Sequence, residues 1–311
     1  TAAGWASGSA AAFKIVCRQT KCLAQFHSYA NNLSRSANWI VSTCAMSELA
    51  ADIIDTFETP GPPDGCFAER VTEIEHYSDR LFRFRMTRPA SLRFRSGEFV
   101  IIGLPGDRPV FRAYSIASPC WDDTLEFYSI KVPGGPLTEH LQKIRPSDTI
   151  WMRRKPTGTL VLDALLPGRN LWMSATGTGI APFASIIGDP ESYEKFEHLV
   201  LVQGCRQQAD LSYAQSLVQE VPDDPLVGEL AWGRLKLITA TTQERSAMTG
   251  RLTTCLTDGR LEDAAGMAID SARDRAMICG SMAMLKDMCD LLVGRGFVEG
   301  SNARPAGFVI D

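Results

Sequence analysis

The sequence predicts an antiparallel β-barrel followed by an α/β domain with a doubly wound parallel sheet. Residues 66–165 contain short alternating segments separated by turn residues, which is typical of a small barrel. From residue 166 onward, apolar runs alternate with helical or loop segments, and this pattern indicates a parallel sheet covered by helices on both faces. The Pro/Gly-rich residues 59–65 mark the start of the first folded domain.

The predicted elements follow in chain order. The barrel strands are expected in the segments "FAERVTEIEHYS", "LFRFRMTRP", "GEFVIIGLP", "RAYSIASP", "LEFYSIKVP" and "TIWMRRKPTG", with a helical turn in "GPLTEHLQKI" before the last of them. The parallel strands are expected in "LWMSAT", "HLVLVQG", "LKLITAT" and "RAMICGS". Because ligands bind such sheets outside the carboxyl ends of the strands, we expect the functional site at the boundary between the two domains.

Composition excludes several classes of protein. The chain has 311 residues, of which 45% are hydrophobic and 22% charged, with a net charge of -4. Positive and negative residues are interspersed, which argues against a nucleic-acid partner, and no apolar run is long enough for membrane insertion. The nine cysteines are scattered without zinc or iron-sulfur spacing. The sequence therefore predicts a soluble protein without a metal, so redox chemistry would need an organic cofactor.

The N-terminal residues differ in composition from the rest. Residues 1–45 contain no Asp or Glu but include Lys14, Arg18, Lys21 and Arg35, which is typical of a transit peptide and an organellar matrix protein. The favoured alternative is that Met46 is the native start and that the protein is cytoplasmic. In both cases, residues 1–65 are interpreted as an extension that is disordered or non-native.

The segment "FRAYSIASP" combines a cation, an aromatic ring and a hydroxyl group. In a strand, Arg112 and Tyr114 lie on one face, and Ala113 and Ser115 on the other. These side chains suit a planar anionic ligand. The alternative is an ordinary strand with a solvated arginine and a core tyrosine.

Two turns suit anions. In "ATGTGIAP", Gly177 and Gly179 follow a strand and open a helix, where backbone N–H groups can approach a phosphate. In "VPGGPLTEH", residues 136–138 open a second helix, whose N-terminus attracts an anion. The alternative for this second turn is a simple Pro/Gly connection.

These motifs, together with "KPTGTLVLDALLPG", "GIAPFASIIGDPESYEKF", "LVQGCR" and "TGRL", stand in an order and spacing that resemble bacterial-type ferredoxin-NADP reductases from residue 66 to the end of the chain. The resemblance implies an FAD-binding barrel at residues 66–165 and an NADP-binding domain at residues 166–311. It also implies an enzyme that passes a hydride between NADPH and FAD, and single electrons between FAD and a separate ferredoxin or flavodoxin. We expect the enzyme to be a monomer.

The resemblance further implies roles for individual residues. Arg112 would bind the FAD diphosphate, Tyr114 would stack on the isoalloxazine ring, and Ser115 would hydrogen-bond near flavin N5. Cys279 would lie beside the nicotinamide, although a buried core thiol is the alternative. The remaining expected cofactor-binding residues are Ala113, Tyr128, Ser129, Ile130, Lys131, Pro136, Leu137, Thr138, Thr176, Gly177, Thr178, Gly179, Arg206, Thr242, Gln243 and Arg251.

Three further expectations depart from the family pattern or leave alternatives open. Arg206 and Arg251 match two members of the family's 2′-phosphate cluster, whereas Gln243 stands where an arginine is usual, so we predict a reduced preference for NADPH over NADH. Relatives continue past "RPAGFVID" to an aromatic residue that covers the flavin, and Phe308 is considered a partial substitute. Arginines 83, 85, 88, 93 and 95 are either a docking surface for an acidic carrier or a solvated face.

Two rival functions remain open from the sequence. The first is an NADH-dependent flavin or oxygenase reductase of the same superfamily. The second, from another class, is a redox-silent binding module that has lost FAD.

Overall fold

The computed structural model describes residues 61–311, so the predictions for residues 1–60 lie outside the described part of the chain. The first six strands form one antiparallel sheet in the order β4-β3-β6-β1-β2-β5. The strands are β1 (Cys66–His76), β2 (Leu81–Thr87), β3 (Phe99–Gly103), β4 (Phe111–Ser115), β5 (Thr124–Ile130) and β6 (Thr149–Arg153).

Alternation of side chains explains how this sheet curves into a nearly closed barrel. In β2, Phe82, Phe84 and Met86 are fully buried, while Arg83 and Arg85 face outward. The rings of Phe84 and Phe127 stack with centroids 5.2 Å apart inside the barrel. The aromatic side chains therefore lie on the inward face of the strand, as the alternation predicts.

A short helix, α1 (Thr138–Leu141), lies between β5 and β6. Its residue Leu141 is fully buried, and Leu137, directly before the helix, is also buried. Both side chains belong to the barrel core. The helix is therefore held by its apolar side chains, and its first turn stays at the surface.

The remaining strands form a parallel sheet in the order β11-β10-β7-β8-β9. They are β7 (Asn170–Thr176), β8 (His198–Cys205), β9 (Leu235–Thr241), β10 (Asp274–Cys279) and β11 (Phe308–Ile310). The helices are α2 (Ala181–Ile187), α3 (Pro190–Lys195), α4 (Ser212–Glu220), α5 (Gly228–Ala231), α6 (Leu252–Thr257), α7 (Arg260–Ala265) and α8 (Met282–Gly294).

Two apolar clusters cover the opposite faces of this sheet. Leu171 and Met173 of β7 pack into one cluster together with residues of α2, whereas Trp172 packs into the other together with residues of α6 and α8. Burial on both faces explains why the parallel strands are continuous apolar runs. The predicted fold class, a barrel followed by a doubly wound α/β domain, is confirmed.

Strand β11 was not predicted, and it corrects one expectation. Phe308 pairs with Ala276 in the parallel sheet, and its side chain is fully buried in the cluster beneath α8. The prediction that Phe308 partly covers a flavin is therefore wrong, because its ring already fills the core.

Buried polar contacts join the barrel to the α/β domain. The Ser96 hydroxyl donates to Asp189 Oδ2 at 2.6 Å, and Ser185 Oγ both accepts from Gly97 N–H and donates to Ser118 O. On another side, the Tyr213 hydroxyl donates to Glu126 Oε1 at 2.9 Å. These contacts fix the two sheets within one compact unit.

Residues 61–311 contain neither a membrane-spanning helix nor a metal-binding cluster. No helix in this part of the chain is both long and apolar enough to cross a membrane. Within the same residues, His, Cys, Asp and Glu side chains nowhere gather in a group of three that could hold a metal ion.

Candidate functional site

A cavity of about 930 Å³ lies between the barrel edge formed by β4 and β5 and the carboxyl ends of the parallel strands. Thr176, Cys205 and Cys279, the last residues of β7, β8 and β10, all line it. This is the position at which doubly wound sheets bind ligands. The volume is near the upper end of the roughly 300–1,000 Å³ typical of ligand pockets.

The structure brings nearly all the predicted site residues to this one cavity. Its walls include Arg112, Ala113, Tyr114, Ser115, Tyr128, Ser129, Ile130, Pro136, Leu137, Thr138, Thr176, Gly177, Thr178, Gly179, Arg206, Thr242, Arg251 and Cys279. They come from both sheets, so the cavity is a shared site.

Two predicted residues do not line the cavity. Lys131 Nζ donates instead to the carbonyl oxygen of Ser78 at 2.9 Å. Gln243 is exposed, and its backbone N–H donates to the carbonyl oxygen of Arg206. Gln243 is thus adjacent to a wall residue without being part of the wall.

Strand β4 supplies the polar edge of the barrel side. The Arg112 side chain is exposed and donates to the neighbouring Phe111 carbonyl at 2.7 Å. Tyr114 is partly buried, and burial raises the pKa of its phenol, so the hydroxyl stays protonated at neutral pH. A free cation and a neutral ring are therefore presented side by side.

Tyr128, a wall residue on the barrel side, packs against two further aromatic rings. Tyr128 stacks on Tyr213 of α4 with ring centroids 4.1 Å apart, and Tyr77 meets both rings edge-on. Tyr128 Oη is buried and has no hydrogen-bond partner within residues 61–311. Because this oxygen is buried, it is not exposed to the cavity.

The phosphate-type turn after β7 is held by β8. Gln203 Nε2 donates to the carbonyl oxygen of Gly177 at 3.3 Å, and Gly204 of β8 pairs with Thr176, directly before the turn. Burial raises the pKa of Cys205 to about 12. This thiol is therefore protonated at neutral pH, and it donates to the carbonyl oxygen of Asp210.

The turns after β7 and β10 pack directly against each other. A Cβ atom on Gly179 would lie 2.4 Å from Cys279 O, and one on Gly280 would lie 2.1 Å from Thr176 Oγ1. The same Thr176 oxygen accepts the Ser281 N–H at 2.9 Å. Glycine is thus required at both turns for this approach.

That contact sets the position of Cys279 in the cavity wall. Burial, with a smaller contribution from Asp311, raises the pKa of Cys279 to about 12. The thiol is therefore protonated at neutral pH and presents a small, neutral surface. Such a group can pack beside a planar ring without adding charge.

The outer end of the cavity is basic. Arg206 and Arg251 are exposed in its wall, and Thr242 lies between them in sequence, with Oγ1 donating to Cys205 O at 3.3 Å. Two guanidinium groups around an open end form a natural site for a phosphate.

Sequence reasoning missed several wall residues. Arg80 and Asp210 approach each other across the two sheets, with Nη1 and Oδ2 3.7 Å apart. Ser281, Met284 and Asp287, at the start of α8, also line the cavity. The sequence shows that Arg80 lies directly before an apolar strand. Its ion pair with Asp210, however, depends on the tertiary structure.

The five arginines considered either as a docking surface or as a solvated face mostly bind groups within the protein. Arg83 binds Glu73, Glu75 and Glu126, and Arg85 also binds Glu126.

Arg88 donates to the carbonyl oxygens of Cys120, Asp122 and Leu92, and Arg95 pairs with Glu98 and Asp163. Of these five arginines, Arg93 alone is exposed and without an ion pair among the described residues. Internal partners therefore neutralise or occupy most of this surface.

Comparison with known proteins agrees with this architecture. The family model for the oxidoreductase FAD-binding domain matches residues 69–161, and that for the oxidoreductase NAD-binding domain matches residues 173–290. A flavodoxin/ferredoxin-NADP reductase from Rhodobacter capsulatus is 52% identical over 247 residues, which are 78% of this chain and 92% of the relative.

Two further proteins extend the comparison. A ferredoxin-NADP reductase from Azotobacter vinelandii is 46% identical over 246 residues, covering 78% of this chain and 95% of the relative. The crystal structure of a ferredoxin NADP+ reductase from Neisseria gonorrhoeae with bound FAD and NADP matches with a TM-score of 0.72 and 27% identity, covering 79% of this chain and 98% of that one. The chain described here therefore belongs to the bacterial-type ferredoxin-NADP reductase family.

Proposed function

We propose that the protein transfers electrons between NADPH and a ferredoxin or flavodoxin through FAD. One observation carries this function: the residues expected to hold FAD and those expected to hold NADP(H) line the same cavity. A shared cavity lets the two cofactors meet, which hydride transfer requires. The family and its cofactors agree with this function.

On the barrel side, the proposed FAD-binding residues have matching chemistry. The Arg112 guanidinium would bind the diphosphate together with residues 136–138, and the Tyr114 ring would stack on the isoalloxazine. Ser115 would donate a hydrogen bond near N5, and Tyr128 would flank the cofactor. Bound FAD supplies the exchange between two-electron and one-electron chemistry.

On the α/β side, the proposed NADP(H)-binding residues extend from Cys279 to the exposed Arg206 and Arg251. Cys279 would leave room for the nicotinamide, and residues 177–180 would hold the diphosphate. Arg206 and Arg251 would bind the 2′-phosphate, with Thr242 beside them.

Other sequence-based assignments stay predictions. We propose domain boundaries near residue 165, between the barrel strand β6 and the parallel strand β7, and an additional N-terminal extension at residues 1–65. A cytoplasmic location and a monomeric state follow only from the sequence.

The function is tested with the purified full chain after reconstitution with FAD. We expect flavin absorbance and NADPH-dependent reduction of cytochrome c that increases when a ferredoxin or flavodoxin is added. The absence of bound flavin after reconstitution would contradict both oxidoreductase functions and favour the redox-silent alternative. A wild-type preference for NADH would favour the NADH-dependent flavin or oxygenase reductase.

A further inference from the structure

Arg80 is a cavity residue to which the roles above give no part. It lies in the turn between β1 and β2, and its backbone is fixed on both sides: its N–H donates to Ser78 Oγ at 3.1 Å, and its carbonyl accepts the Lys131 N–H at 2.6 Å. Its side chain is 41% exposed and reaches the cavity wall. The turn thus presents a cation from the barrel toward the α/β domain.

The guanidinium group of Arg80 is weakly held. Its ionic partner is Asp210, at 3.7 Å, which is an ion pair but too long for a hydrogen bond. Within residues 61–311, the Arg80 guanidinium donates no hydrogen bond, whereas that of Arg83 donates three. The guanidinium group of Arg80 is therefore available to donate hydrogen bonds to a stronger acceptor.

Asp210, by contrast, is fixed and buried. Its side chain is only 9% exposed, its N–H donates to Gln207 O, and its carbonyl accepts from the Cys205 thiol. The carboxylate is thus a stationary counter-ion to which Arg80 can return when no ligand is bound.

The surroundings indicate which acceptor Arg80 would meet. Arg80 and Gly177 both line the cavity. Asp210, the ionic partner of Arg80, accepts the Cys205 thiol through its carbonyl oxygen, and Gly204, directly before Cys205, pairs with Thr176, directly before Gly177. Gly177 begins the turn to which the nicotinamide nucleotide's diphosphate is assigned. Arg206 and Arg251 are assigned to the outer phosphate, so the diphosphate lacks a cation from its own domain.

We propose that Arg80 binds the diphosphate of the nicotinamide nucleotide from the barrel side, exchanging its ion pair with Asp210 for phosphate oxygens. Guanidinium binds phosphate with two parallel hydrogen bonds, which the long pair with Asp210 does not provide. NADP(H) and NAD(H) share the diphosphate, so Arg80 contributes affinity and does not discriminate between them. This inference rests on the proposed function.

The test measures ligand binding to the FAD-loaded full chain by calorimetry, with NADP+, NAD+ and 2′-phospho-AMP as probes. We expect Arg80→Gln to lower the affinities for NADP+ and NAD+ by the same factor. This factor is about 5- to 30-fold, because solvent screens the charge of a partly exposed group. Binding of 2′-phospho-AMP, which lacks the diphosphate, is expected to stay unchanged. Arg80→Lys should restore part of the affinity.

Two further variants make the test specific. Arg93→Gln, at an exposed arginine outside the cavity, is the matched control and should leave all three affinities unchanged. Asp210→Asn removes the competing carboxylate and should tighten NADP+ binding a few-fold, and Arg80→Gln should abolish that gain in the double variant.

Several outcomes would overturn the inference. The first is that Arg80→Gln binds NADP+ and NAD+ as tightly as the wild type does. The second is that the variant loses affinity only for ligands with a 2′-phosphate. The third is that the variant loses FAD but still binds the nucleotide. Failure of the wild-type protein itself to bind FAD or nucleotide would instead contradict the proposed function, so the two failures are distinguishable.

Discussion

Tyr114 and Ser129 face each other across the seam of the barrel, with their hydroxyl oxygens 3.3 Å apart. Their strands, β4 and β5, are the two ends of the six-stranded sheet and share no backbone ladder. A side-chain hydrogen bond therefore spans the gap that backbone pairing leaves. The cavity is lined by both residues, so the seam also forms one of its walls.

This relationship separates two contributions of Tyr114. Tyr114→Phe removes the contact with Ser129 but keeps the ring, and we expect FAD affinity to fall less than about 10-fold, since a neutral hydrogen bond contributes roughly 0.5–1.5 kcal/mol. Tyr114→Ala removes the stacking surface and should cost more. Titration of the apoprotein with FAD measures both, and equal losses would show that the ring contributes nothing beyond its hydroxyl.

Arg112 is expected to be the main charged anchor for FAD. Arg112→Ala removes a guanidinium that is exposed to the cavity and has no ion pair among the described residues. We expect FAD affinity to fall by about one to two orders of magnitude, with little change in folding. Flavin content after purification gives the answer, with Arg93→Ala as the control; tight FAD retention by Arg112→Ala would place the diphosphate elsewhere.

Nucleotide preference is expected to depend on the outer arginines. Gln243 offers no charge, and a lost charged hydrogen bond to phosphate costs roughly 1.5–3 kcal/mol. We therefore expect Gln243→Arg to widen the preference for NADPH over NADH, and Arg206→Ala nearly to abolish it. Steady-state kinetics with both nucleotides decides this. An unchanged ratio in Arg206→Ala would remove that residue from the 2′-phosphate site.

The size of residue 279 is expected to control hydride transfer. Cys279→Leu should slow flavin reduction by NADPH at least about 10-fold, because the larger side chain narrows the place where the two rings meet. Cys279→Ser is the matched small control and should retain most of the rate.

The Cys279 pKa is raised to about 12 by burial, so we expect no inflection from this thiol in the rate between about pH 6 and 9. Stopped-flow measurement of flavin reduction across this range checks both points. An inflection that disappears in Cys279→Ser would show that the thiol ionises within the range.

Tyr213 should make the protein sensitive to alkali. Burial, reinforced by Glu126, raises the pKa of its phenol well above the ordinary value. The folded state therefore retains a proton that the unfolded state loses above about pH 10, and the free energy of unfolding falls by about 1.4 kcal/mol per pH unit for this group. Below about pH 10 its contribution is fully present.

Urea unfolding of the wild type and of Tyr213→Phe between about pH 8 and 11 tests this prediction. The variant should be less stable by roughly 1 kcal/mol at pH 8, because the Glu126 hydrogen bond is lost. Above pH 10 its stability should decline less steeply than that of the wild type. Parallel curves would show that Tyr213 does not ionise on unfolding in this range.

Local patterns predicted the strands and the phosphate-type turns because their causes are local. Alternation of Phe82, Arg83 and Phe84 fixes the inward face of β2, and the apolar run at residues 198–204 suits a strand buried on both sides. The same patterns could not predict β11, since a three-residue strand acquires its identity only from pairing with β10.

Charged residues were harder to interpret than apolar ones. An arginine on an outward strand position has the same sequence signature whether it is solvated, paired or available to a ligand. Arg83 is paired because Glu75 lies opposite on β1, whereas Arg80, three residues earlier, faces a carboxylate from another domain. Only the three-dimensional neighbours distinguish these cases.

The close contact between Gly179 and Gly280 has a practical consequence for protein engineering. Neither turn has room for a methyl group, so each turn must be complementary in shape to the other. A segment after β7 taken from another reductase would be complementary to a different β10 turn. Exchange of one segment alone should misplace the thiol at position 279 as well as the phosphate site. The two turns therefore form the smallest transplantable unit of this nucleotide site, although about a hundred residues separate them in the chain.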